Sequence, residues 1–386
     1  MEVRLELVED ALKVFVAALQ CLAQVGKELS MECDIAARCL TLRALNDARS
    51  ASGQVVLARS FFIESPAGSV TLQNVAISSR EALCARFGGR APFAKCKVFA
   101  KSCCNVFRTL KHVQSVQLAL LVDQEALDGA DASQEAALSP RSDTANNNSN
   151  ADEVDLDCLA LRWTLRCAFD ITKTHYMKVQ SCQVMRAVFD RSACANHWRT
   201  RQHHLSSLLA HVQHSSEVSV TCSPTHVKVE SYFSTGTEGK AQLQTETAVE
   251  SGEFSEYVLQ PAATTWGEPA GAQLIFCIKE IRALLAFCKT SDVLEVSFYY
   301  TTSGSPVLFT AESTSMAKFS IELTLSTVTT FVPASSQSCA EAEVTLCVND
   351  TMMSTSATSQ TLSQSQSSSQ ENPRYLTHSK RPRVED

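Results

Sequence analysis

No apolar run in this 386-residue chain is long enough to cross a bilayer. The longest aliphatic stretches, such as LALLV at 118–122, fall far short of the roughly 20 residues that a spanning helix needs. The first ten residues, MEVRLELVED, lack a basic segment followed by a long apolar one, so no secretory signal is visible and a soluble, intracellular protein is expected. Cysteine is abundant, at 16 residues, yet no two cysteines stand at C-x-x-C and none are matched by histidines at zinc-finger spacing. Cys33, Cys39, Cys96, Cys167, Cys222 and Cys277 lie inside apolar runs, where a thiol serves as a small hydrophobe, and are expected to be reduced. Also absent are a phosphate-binding P-loop, a nucleophile elbow, HExxH and any grouping of carboxylates suited to two-metal nuclease chemistry. The chain therefore reads as a non-enzyme with no metal and no cofactor.

Acid is missing wherever base collects. The formal net charge of -7 is concentrated: residues 123–157 hold ten Asp or Glu against the single base Arg141, and the final stretch 333–386 is also acidic. What remains is mildly basic. Residues 128–153, DGADASQEAALSPRSDTANNNSNADE, have few side chains able to anchor a core and lie between two strand-like runs, 113–122 and 157–170. They are expected to form a disordered acidic hairpin loop. From Pro333 the chain becomes rich in Ser, Thr and Gln and loses all periodicity, as a disordered tail does.

The rest repeats. LKVFVAALQCLAQVG (12–26) has helical spacing and is followed by alternating runs at 28–33 and 39–45; HHLSSLLAHVQHSS (203–216) is followed by alternating runs at 217–222 and 226–233. A second pair of segments, 101–121 and 279–299, sets Lys101 on Lys279, Phe107 on Leu285 and Lys111 on Lys289, each helix leading into a strand. The expectation is an α+β protein of two tandem domains of one topology. The first covers 1–185 with the loop 128–153, a connector covers 186–200, the second domain covers 201–332, and a regulatory tail covers 333–386.

Helical projection places Arg108 at about 340°, His112 at about 20° and Lys111 at about 280° from Lys101, with Cys103, Val106, Phe107 and Leu110 at roughly 140° to 240°. Lys279, Arg282 and Lys289 project in the same way against Ile281, Leu284, Leu285 and Cys288. Between Ala82 and Val122 there are seven Lys or Arg and no acid; Arg191 to Ser216 holds Arg199, Arg201 and five histidines, again with no acid. Solvated helix faces usually mix signs, because opposite charges at i,i+4 stabilise and like charges repel. Cation-only faces on equivalent helices point to a polyanion. His211 and His214, at i,i+3, have no Asp, Glu or Cys within a turn to complete a metal site. With His203 and His204 they read as part of the weakly basic helix.

Several segments carry a resemblance: LTLRALNDARSA (40–51), RSFF (59–62), CKVFAKSCCNVFRTL (96–110), ITKTH (171–175), RAVFD (186–190), FCIKEIRALLAFC (276–288) and SPVLFTAE (305–312). In this order and spacing the chain resembles the DNA sliding clamps typified by PCNA. More closely it resembles the Rad-nine family, a subunit of the nine-one-one checkpoint clamp. The resemblance implies PCNA-like clamp domains whose helices line the inner face of a three-subunit ring around double-stranded DNA, with antiparallel sheets outside. Lys101, Arg108, Lys111, Arg199, Arg201, Lys279, Arg282 and Lys289 become channel candidates, because phosphate contacts independent of sequence suit a sliding ring. Ring closure would use edge strands at 174–182 and 241–249.

The partners so implied are two other clamp-like subunits, a clamp loader, checkpoint kinases and an adaptor that binds the phosphorylated tail, with no membrane. In the tail, Ser336, Ser359, Ser363, Ser365 and Ser369 each precede Gln, the dipeptide preferred by DNA-damage kinases, and Ser139-Pro140 is a further candidate. Lys380, Arg381, Pro382 and Arg383 form KRPR, a short signal for import to the nucleus. Function in the DNA-damage checkpoint and DNA repair follows. The alternatives are a 3'-5' exonuclease, an activity attributed to the family, and a replication processivity clamp. The family usually keeps the first-domain hairpin short, so the acidic insertion is a departure.

Overall fold

Runs that alternate apolar and polar residues become strands because successive side chains point to opposite faces. In EVRLELV, for example, Val3, Leu5 and Leu7 are buried and the residues between them are half-buried. The computed structural model describes residues 1–63, 70–72, 75–77, 80–85, 87–122, 153–187, 189–212, 215–233, 243–260, 272–314 and 318–328. The acidic loop with Ser139, the tail serines Ser336, Ser359, Ser363, Ser365 and Ser369, the basic residues Lys380, Arg381 and Arg383, and His214 lie outside the described residues.

In chain order the first half runs β1 (Glu2–Val8), α1 (Glu9–Val25), β2 (Glu28–Asp34), β3 (Cys39–Leu45), β4 (Ala51–Leu57), β5 (Val70–Leu72), β6 (Val75–Ile77), α2 (Arg80–Ala85), β7 (Ala91–Phe99), α3 (Ala100–Val106), β8 (Val113–Val122), β9 (Glu153–Cys167) and β10 (Thr172–Lys178). The second half runs β11 (Asn196–Arg201), α4 (Gln202–Ala210), β12 (Glu217–Cys222), β13 (His226–Tyr232), β14 (Glu246–Glu250), β15 (Glu256–Val258), β16 (Ala272–Cys277), α5 (Lys279–Thr290), β17 (Glu295–Tyr300), β18 (Val307–Glu312) and β19 (Phe319–Leu325). Strands expected at 28–33, 39–45, 217–222 and 226–233 are β2, β3, β12 and β13. β8 and β9, on either side of the acidic loop, are antiparallel neighbours. β11 begins inside the segment read as a connector.

Both halves lie in one compact unit, Met1–Phe331. They are joined by a seven-residue antiparallel ladder between β4 and β19, in which Leu57 faces Phe319 and Ala51 faces Leu325. This ladder makes a continuous sheet in the order β15-β11-β17-β18-β19-β4-β3-β2-β7-β9-β8-β1-β5-β6, with β10 added on β9; β14-β13-β12-β16 form a second sheet. Phe319 contacts a ring from each half, Phe61 at 6.1 Å and Phe287 at 5.6 Å. The connector is pinned at its first residue and again five residues on. Arg186 reaches the buried Glu32 at 3.1 Å, which Arg43 also bonds at 3.0 Å, and Arg191 pairs with Glu322 on β19.

α1 is apolar nearly all round, and such a helix belongs inside. Ten of its 17 residues are buried, where it packs against both α3 and α5. It ends at Gly26, where an added Cβ would collide with the Leu45 carbonyl group. Gly26→Ala is therefore expected to cost about 1–3 kcal/mol, as overpacking does. The check is a thermal melt, and a melting temperature equal to that of the unsubstituted protein would show that Leu45 can retreat.

Candidate nucleic-acid interface

Packing sets four helices in a row: α3 lies against α1, α1 against α5, and α5 against α4. Each turns its apolar face to the sheets. On α5 Ile281, Leu284, Leu285 and Cys288 are all buried, leaving Lys279, Arg282 and Lys289 exposed. On α3 Cys103 is buried and Lys101 exposed. Lys279 opens α5 and Lys101 stands in the first turn of α3, both at the positive end of a helix dipole, where a cation is disfavoured. Helix stability does not account for those placements; an anion outside the helix would.

α4 and α5 enclose an open groove of about 510 Å³ lined by Gln202, Ser206, Leu209, Ala210, Arg282, Leu285, Ala286 and Lys289. Arg282 Nη2 donates to the Val212 carbonyl at 2.9 Å, which anchors the guanidinium at the groove. A guanidinium has five N–H donors, so this bond leaves others for a phosphate.

The cationic segment of α3 departs from its helical projection. The helix stops at Val106, because Phe107 turns into the core, edge-on to Phe15 at 5.9 Å and to Trp163 at 5.2 Å. The Phe107 and Arg108 amides donate to the carbonyls of Cys104 and Asn105, three residues back, at 3.1 and 3.2 Å, and His112 has φ 68°. Arg108 and Lys111 are exposed, but on the turn between α3 and β8, not on the helix face with Lys101.

Arg199 also needs correcting. It lies on β11 with its neighbours Trp198 and Thr200 buried, so it projects from the opposite face, away from the core that the helices cover. There it is paired with Glu256 at 3.2 Å and donates to Ser297 Oγ at 3.2 Å. Arg201, two residues further along β11, falls on the same side as Arg199 and is exposed where β11 meets α4. α4 ends at Ala210, so His211 follows the helix. His203 is exposed, whereas His204 Nδ1 lies 2.9 Å from Thr200 Oγ1 and its ring packs on Phe254.

One feature escaped the sequence reading. The exposed surface of α1, between the two cationic helices, begins with Glu9 and Asp10, and its Lys13 is held by Asp10 at 2.9 Å. Apolar crowding along LKVFVAALQCLAQV had signalled how deeply α1 is buried, but its acidic first turn was not weighed. The row is basic on α3 and α5 and not on α1.

The buried thiols of α3 and α5 are held protonated. Every described cysteine is free. Burial, then the neighbouring Cys104, pushes Cys103 up to about 12, and burial pushes Cys288 up to about 12. Cys103 Sγ touches Met177 Sδ at 3.8 Å on β10. Among the described residues no group of three or more His, Cys, Asp or Glu could hold a metal ion.

A family model described as Rad9 matches residues 15–328. A DNA repair protein rad9 from Schizosaccharomyces octosporus is 23% identical over 294 residues, 75% of this chain and 61% of that protein. The chain thus spans less than two thirds of that relative's length. Among solved structures, the PCNA2–PCNA3 complex of Sulfolobus tokodaii superposes with a TM-score of 0.52 at 9% identity, covering 84% of this chain and 98% of that one. PCNA from Thermococcus kodakaraensis gives 0.51 at 9% identity, over 85% and 100%. Proliferating cellular nuclear antigen from Entamoeba histolytica gives 0.51 at 7%, over 85% and 99%.

Proposed function

Because the chain belongs to the Rad9 family and has the fold of the PCNA clamps, we propose that it is a non-enzymatic subunit of a heterotrimeric sliding clamp that encircles duplex DNA in the nucleus and serves the DNA-damage checkpoint and DNA repair. The observation that carries this reading is the helix row in which α3 and α5 expose cations, Lys101 and Lys279 among them against the helix dipoles. Its DNA-facing set is Lys101, Arg108, Lys111, Lys279, Arg282 and Lys289, without Arg199 and Arg201, which share one face of β11. Nonspecific contacts of this kind hold a duplex without fixing its register, as sliding requires.

Two sheet edges support a ring. β10 pairs with β9 alone and β14 with β13 alone among the described strands, so each has a free ladder for a neighbouring subunit. β10 starts and ends earlier than the span 174–182 suggested, and β14 starts and ends later than the span 241–249 suggested. Loading by a clamp loader, phosphorylation of Ser336, Ser359, Ser363, Ser365 and Ser369 by checkpoint kinases and capture of that tail by an adaptor complete the reading. Each phosphate would add about -1.5 to -2 charge.

The test is topological. The chain, co-expressed with two other clamp-like subunits and loaded onto a nicked circular plasmid, should stay on the circle in high salt and leave once the plasmid is cut. Equal retention on circular and linear DNA would exclude encirclement.

A further inference from the structure

α4 and α5 leave between them a groove that phosphate contacts alone do not account for. Its floor is apolar, formed by the buried Leu209 and Leu285. Its walls carry Ser206, Ala210 and Ala286, all exposed and all small, where a channel lining built only to hold phosphates would carry Lys or Arg. Small side chains at these positions keep the groove open to about 510 Å³, within the roughly 300–1,000 Å³ of sites that take small ligands.

Two side chains bridge the helices and set the polar groups of the groove. Gln202 Nε2 donates to the Leu285 carbonyl at 3.3 Å, which leaves the Gln202 side-chain oxygen as an acceptor. Arg282 Nη2 donates to the Val212 carbonyl, just past the end of α4. Lys289 lies two turns further along α5 on the same side as Arg282, about 10.5 Å away along the axis. Leu285 and Ala286 occupy the interval. The groove thus has a cation toward each end, an apolar surface between them and neutral hydrogen-bonding groups at its edge.

A paired duplex would use only the cations, because it shows phosphates to the channel wall and keeps its bases stacked inside. A base without a partner is the one that leaves the stack most readily, and it has an apolar face to bury. Resting on the reading that the channel holds DNA, we propose that the α4–α5 groove takes an unpaired nucleotide of the encircled DNA. Its base lies against Leu209, Leu285, Ala210 and Ala286, and its flanking phosphates meet Arg282 and Lys289. Gln202 and the Ser206 hydroxyl satisfy the base edge without the bidentate pattern that would select one base. A ring so equipped slides on paired DNA and is retained where a strand is unpaired, at a gap or beside a strand end.

The ring, assembled from the full chain and two other clamp-like subunits, would be titrated by fluorescence anisotropy with three duplexes. One is fully paired, one has a short single-stranded gap, and one has the same gap built of abasic sugars. The gapped duplex should bind about tenfold more tightly than the paired one, and the abasic gap should lose that advantage. Ala210→Leu with Ala286→Leu fills the groove without altering charge. It should bring the ratio of gapped to paired affinity to about one and keep the slope against salt, which the cations set. Both alanines are exposed and Leu is a good helix former, so an unaltered melting temperature serves as the folding control. Equal affinity of the unsubstituted ring for gapped and paired duplex would overturn this inference alone. So would an advantage that survives in the abasic gap, which would come from its phosphates or its flexibility, or one that survives in the filled variant, which would place the base elsewhere. Failure to bind any of the three would overturn the reading of the channel as well.

Discussion

Lys279→Glu, Arg282→Glu and Lys289→Glu combined should lower the affinity of the assembled ring for duplex DNA about a thousandfold. A charge-assisted hydrogen bond to phosphate contributes about 1.5–3 kcal/mol, so each lost contact is worth roughly tenfold or more. The slope of log affinity against log salt should flatten by about 0.9 for each contact removed. All three side chains are exposed, and only Arg282 has a described hydrogen bond, to the Val212 carbonyl. Its loss should cost about 1 kcal/mol of stability, which leaves the ring assembled. The comparison that gives the result its meaning is Arg199→Glu, on the opposite face of β11 and already paired with Glu256. That variant should bind DNA as the unsubstituted ring does. A salt titration of fluorescence anisotropy measures both. Equal affinity for the triple variant would return the α5 face to ordinary solvation, and a large loss for Arg199→Glu would place DNA on the outer sheet.

Much of the helix row and its sheets was readable in advance, for reasons that differ by element. The strands β2, β3, β12 and β13 alternate apolar residues over six or seven positions, and those apolar residues are buried, with Glu32, Thr41 and Ser219 of the other face buried too. α5 keeps its period of 3.6 from Lys279 to Thr290, so its cations emerged on the expected side. α3 did not, because a tertiary contact overrode local propensity: Phe107 belongs to an aromatic cluster with α1 and β9, and the helix cannot continue past it. The error over Arg199 was avoidable. In NHWRTR the alternation alone sets Arg199 opposite Trp198, and Trp is the residue that must go inside. The β4–β19 joint was beyond reach, since it pairs residues more than 260 positions apart and nothing local to either strand selects the other.

That aromatic cluster supports the second large prediction. Trp163 is fully buried on β9, 5.9 Å from Phe15 on α1 and 5.2 Å from Phe107. Trp163→Ala should cost about 3–5 kcal/mol, seen as a large fall in melting temperature. Phe107 would also lose the contact that turns the chain after α3, so Arg108 and Lys111 would lose their fixed position. DNA binding should then fall in whatever ring still assembles. Trp163 Nε1 has no hydrogen-bond partner among the described residues, so the indole contributes packing without a satisfied polar bond. Trp163→Phe keeps most of the ring contacts and removes the unpaired donor, whose burial is itself unfavourable by about 1–3 kcal/mol. It should therefore cost far less than Trp163→Ala and leave DNA affinity intact. If Trp163→Phe were as damaging as Trp163→Ala, the indole nitrogen would have to make a bond that the described residues do not supply. If neither changed DNA binding, the turn after α3 would hold its cations without the aromatic cluster, and Lys101 and the α5 face would carry the duplex by themselves.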